Sequence, residues 1–63
     1  MNKDLYELDK LYKENKFNQV VKQSKLLINS DKSIAPYYNL LGLSLSRLGK
    51  EQEAEIFFLE GIK

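Results

Sequence analysis

Few side chains in this sequence could do chemistry, and none are spaced to act together. Histidine and cysteine are both absent, which removes the commonest general base, the commonest metal ligand, and any thiolate or disulfide. Ser44 and Ser46 carry nucleophilic oxygens, but no base can be identified for them, so they read as polar positions on a helix. Glu51, Glu53 and Glu55 could bind a hard cation only if their oxygens converged. Their alternate spacing fans them around a helix, where they instead favour its positive N-terminal end. No catalytic residue, metal site or cofactor is therefore expected. Arg47 is the single charge between Ala35 and Gly49; it serves either a partner or the C-terminal end of its own helix.

The charge balance narrows the classes further. The net charge is +1, too small for a general electrostatic hold on nucleic acid or an anionic membrane. Residues 1–34 hold seven lysines against five acids, and residues 35–63 hold three bases against four acids, giving +2 and −1. That asymmetry reads as a solvated surface with mild attraction for acidic partners. The longest apolar run is Ile56 to Leu59, far short of a transmembrane span, and the N-terminus lacks the apolar core of a signal peptide. A cytoplasmic location is the default expectation.

Four helices must position these groups. Residues 2–14 form the first, with Leu5, Leu8, Leu11 and Tyr12 as its apolar stripe, Asn2 as a cap and Asn15 as a left-handed stop. Lys3, Glu7, Lys10 and Glu14 alternate in sign along its solvated face. Residues 17–29 form the second, with Phe17, Val20, Val21, Ser24, Leu27 and Ile28 inward, followed by the polar connection 29–33. The third is the centre of the design. It starts at Pro36, because the residue before a proline is biased away from helix, and ends at Gly49. Apolar on most sides, it should be sandwiched between neighbours, with the Tyr37 and Tyr38 rings packed between hairpins. Gly42 costs about 1 kcal/mol in mid-helix, which is reasonable if another backbone approaches there. Residues 51–62 form the fourth helix, with Ala54, Phe58, Gly61 and Ile62 inward.

The two helix stops, Asn15 and Gly49, lie 34 residues apart. The same offset pairs Leu8 with Gly42, Leu11 with Leu45, Val20 with Ala54, Ser24 with Phe58, Leu27 with Gly61 and Ile28 with Ile62. Two helices per period of this length define a helical repeat.

The second period, Tyr38-x2-Leu41-Gly42-x2-Leu45 followed by Ala54-x3-Phe58 and Gly61, resembles the tetratricopeptide repeat (TPR) family. The resemblance implies an all-α fold of two antiparallel helical hairpins stacked as a short solenoid: residues 1–34 as a degenerate first repeat, residues 35–63 as a closer match. A plain four-helix bundle is the alternative, and it would not need Gly42 or Gly61. The family implies a protein-interaction groove on the first helix of each hairpin, here Asn2, Leu5, Asp9, Tyr12 and Lys13, then Asn39, Leu43, Ser46 and Arg47. Of the polar groups used by family members that clamp a C-terminal carboxylate, Asn39 and Arg47 have counterparts. Gly42, Ala54 and Gly61 are the implied close-approach positions, well matched in the second hairpin but not at Leu8, Val20 and Leu27 of the first.

The fourth helix carries more apolar residues than one stripe needs. Phe57 is expected to point where a third repeat would stack, with Ile56 and Leu59 toward the outer side. Covering these by a second copy, most simply in a two-fold homodimer, or by another protein or peptide, would recover about 1.5–3 kcal/mol for each buried side chain. The expected function is a non-catalytic protein–protein interaction module, either the N-terminal part of a larger protein or a self-associating one. By family analogy alone, the alternative is a tethering or substrate-recruiting domain of a transferase-type enzyme.

Overall fold

A computed structural model describes residues 3–30 and 35–62. It contains four helices: α1 (Lys3–Lys13), α2 (Phe17–Ser30), α3 (Ala35–Arg47) and α4 (Glu51–Ile62). The proposed Asn2 cap and groove position, residues 31–33 of the connection, and the Ile62 side chain lie outside the described residues. The helices make two antiparallel hairpins, α1–α2 and α3–α4, stacked through α3.

Both hairpins turn by the same device. Asn15 has φ 63° and Gly49 has φ 81°, the left-handed conformation that ends a helix and that these two residue types tolerate best. At the first turn, the Lys16 amide donates to the Leu11 carbonyl and the Asn15 amide to Tyr12, both at 3.0 Å. At the second, Lys50 donates to Leu45 at 2.8 Å and Gly49 to Ser46 at 3.0 Å. These paired bonds are the Schellman closure, which satisfies carbonyls left open at a helix end. The next helix then starts alike, Val20 donating to Lys16 and Ala54 to Lys50. Every bond in the first set recurs 34 residues later. In the first turn alone, the Tyr12 and Phe17 rings also meet edge to face, centroids 5.4 Å apart.

Helix ends shift slightly from expectation. α3 begins at Ala35 rather than Pro36, and α1 stops at Lys13 rather than residue 14, differences within the fraying of a terminal turn. α2 runs on through Ser30, whose hydroxyl donates to the Leu26 carbonyl at 3.3 Å. That bond draws one residue of the expected connection into the helix.

Two apolar clusters hold the stack, and α3 supplies both. Tyr37 and Leu40 join Leu8 and Val20, with Leu5, Leu11, Tyr12 and Leu27 at the edge. Leu41 and Leu45 join Ala54, with Val21, Phe57 and Phe58 at the edge. Ile28 touches both. Tyr37 on one side of α3 and Leu41 and Leu45 on the other are all buried, as a helix apolar on most sides requires when it is covered from two directions. Among the described residues, α4 packs its backbone against α3 alone, whereas α3 also meets α1 and α2. A closed bundle would bring α4 back to α1; this stack is open.

Three expectations about packing need correction. What stands nearest to Gly42 is a side chain, the ring of Phe58, 2.5 Å from where a Cβ on Gly42 would stand. Tyr37 is buried between the hairpins, but Tyr38 is half-buried within the second hairpin, its Cβ 2.9 Å from a Cβ built on Gly61. Phe57 does not face outward. It is half-buried against Leu41, Leu45 and Ala54, with the Lys25 ammonium 6.0 Å from its ring centroid. That distance is at the outer limit of a cation–π contact.

At the matching positions of the first hairpin the residue sizes are exchanged. Where the second sets small Gly42 against large Phe58, the first has large Leu8 and small Ser24, 1% and 0% exposed. Where the second sets Tyr38 against Gly61, the first has short Asp4 and Leu27 lining one crevice of about 80 Å³. Swaps that conserve volume are the ones a packed interior tolerates best.

Candidate interaction surfaces

The residues expected to line a groove fall into different environments. On α1, Leu5 and Tyr12 are half-buried against the first cluster. Asp9 and Lys13 pair with each other at 3.0 Å, one turn apart. With the lysine side chain 75% exposed, that pair contributes little stability, but it partly satisfies two charges that would otherwise be offered to a ligand. The alternating face behaves differently from the expected ladder in one further respect: Glu14 pairs with Lys16 at 3.4 Å, across the turn.

On α3, Leu43 and Ser46 are half-buried, and Asn39 and Arg47 are exposed. Asn39 lines an open depression of about 380 Å³ with Ala35, Pro36, Phe58 and Gly61, where the start of α3 meets the end of α4. Asp9 and Lys13 line another, of about 260 Å³, with Tyr6, Lys10 and Glu14. Asn39 on the one hand and Asp9 with Lys13 on the other thus line two separate depressions. Arg47 sits in the last turn of α3, where its charge complements the helix end.

The serines divide in a way the sequence did not announce. Ser46 is half-buried, while Ser44 is completely buried, as is Ser24. Neither buried hydroxyl has a hydrogen-bond partner. Among the described residues, no group of three acidic, histidine or cysteine side chains converges on a possible ion site, and no helix is long and apolar enough to cross a membrane.

Uncovered apolar residues concentrate elsewhere. Ile56 and Leu59 on α4 are 57% and 56% exposed, and Leu26 on α2 is 56% exposed. Sequence reasoning passed over Leu26, whose position in an amphipathic helix beside two inward neighbours gave no separate signal. Comparison with protein-family models, curated proteins and solved structures finds no match.

Proposed function

We propose that this chain is a non-catalytic protein–protein interaction module of tetratricopeptide-repeat type that associates through the open side of α4. The observation that supports the reading most is the exposure of Ile56 and Leu59 on a helix whose backbone packs against one neighbour. The turn bonding that recurs at 34 residues supports the repeat character. In a repeat array each unit covers the one before it, so the uncovered side of α4 is a natural place for another molecule. A small chain buries a modest share of its surface on folding, which makes two wet aliphatic side chains on one helix a feature that association would relieve.

Sedimentation equilibrium at tens of micromolar tests this directly. The wild-type chain is expected above its single-chain mass of 7.4 kDa. An Ile56→Ser/Leu59→Ser variant is expected at that mass with its helical circular dichroism unchanged. A wild-type chain that stays at the single-chain mass would overturn self-association.

A further inference from the structure

The outward surfaces of α2 and α4 differ in charge but share an exposed aliphatic centre. On α2, Leu26 stands one helical turn from Lys22, and both are exposed. On α4, Ile56 is three residues from Glu53 and Leu59 is four from Glu55, with both glutamates exposed. Residues at these spacings share a helix face. α2 thus presents an apolar strip with a basic neighbour, and α4 an apolar strip with acidic ones. As second helices of successive hairpins, the two run in the same direction. The Lys25 side chain reaches from α2 to Phe57 of α4, so the two strips lie side by side.

We infer that the occupant of the α4 strip is the α2 strip of a second copy of this chain. The inference rests on the self-association proposed above and specifies its geometry. A two-fold axis between the helices and parallel to them sets α2 of each copy parallel on α4 of the other, so both contacts form at once and the interface closes. Each Leu26 then meets Ile56 and Leu59 of the other copy, and Lys22 faces the glutamates. Pairing α4 with α4 and α2 with α2 would oppose the glutamates of one copy to those of the other, and Lys22 to its own copy. Like charges set against each other select against that arrangement, and opposite charges fix the register of the other.

The chain lacks cysteine, so single cysteines report contacts without background. A chain carrying Leu26→Cys is mixed with an equal amount of one carrying Leu59→Cys and oxidised under conditions where wild-type sedimentation gives a dimer. The mixed disulfide is expected as the major product. Dominant Leu59→Cys homodimers, dominant Leu26→Cys homodimers, or no cross-linking of a dimer that persists would each overturn the α2-on-α4 pairing. A charge exchange checks it independently. Lys22→Glu is expected to shift sedimentation from dimer toward monomer, and adding Glu53→Lys/Glu55→Lys to shift it back; failure of that rescue also overturns the pairing. A wild-type chain without any dimer would instead defeat the underlying self-association.

Discussion

The ring of Phe58 occupies the space that a side chain on Gly42 would need: a Cβ there would stand 2.5 Å from Cε1 and 2.7 Å from Cδ1. That ring packs on the Leu41, Leu45 and Ala54 cluster. A larger residue at 42 must therefore push the ring toward solvent or part the two helices. Gly42→Leu is expected to destabilise by about 2–4 kcal/mol, through overpacking that outweighs its better helix propensity. Urea denaturation measures it. Coupling with Phe58→Ala should be visible, the double variant losing less than the sum of the singles. An unchanged midpoint would remove Gly42 from this role.

The exchanged sizes in the first hairpin lead to a second expectation. Leu8→Gly alone empties a fully buried site, at a cost of at least about 2–5 kcal/mol, and Ser24→Phe alone crowds one. Combined, Leu8→Gly/Ser24→Phe would reproduce the pairing found at Gly42 and Phe58. The double variant should melt above both single variants, with a coupling energy of about 0.5–3 kcal/mol. Strict additivity would mean that Leu8 and Ser24 do not share a space.

These residues also mark where sequence reading succeeds and where it stops. The stops at Asn15 and Gly49 were legible because few residue types accept a left-handed backbone. The central place of α3 was legible because a helix with so little polar surface needs cover on two sides. Phe57 was not. In the run from Ile56 to Leu59 apolar residues point in every direction, so periodicity cannot choose which are inward; the packing of α4 on α3, through Leu41, Leu45 and Ala54, decides. The burial of Ser44 was illegible for a related reason, since its environment comes from neighbouring helices rather than from its own helix. The groove positions could be placed on α1 and α3, yet the internal pairing of Asp9 with Lys13 depends on rotamers that spacing does not determine.

Ser24 and Ser44 supply a third prediction. Each buries a hydroxyl without a partner, and an unsatisfied buried polar group costs about 1–3 kcal/mol. Ser44→Ala removes that group, raises helix propensity and leaves only a small void. It is expected to be neutral or to stabilise by up to about 1 kcal/mol, and Ser24→Ala likewise. Calorimetry on both variants decides the matter. A clear loss of stability would show that the hydroxyl is hydrogen-bonded in solution, to water or to the carbonyl one turn back.

The fourth prediction separates folding from association on α4. Phe57 sits against Leu41, Leu45 and Ala54, while its neighbour Ile56 is 57% exposed. Phe57→Ala should therefore weaken the single chain itself, by about 1.5–3 kcal/mol, less than the 3–5 typical of a fully buried phenylalanine. Ile56→Ala should leave single-chain stability within about 0.5 kcal/mol, as surface substitutions do, and act on association instead. Denaturation at sub-micromolar concentration, where dimers dissociate, isolates the first effect; sedimentation at tens of micromolar isolates the second. If Phe57→Ala left the dilute chain as stable as wild type, the ring would belong to an interface and not to the core.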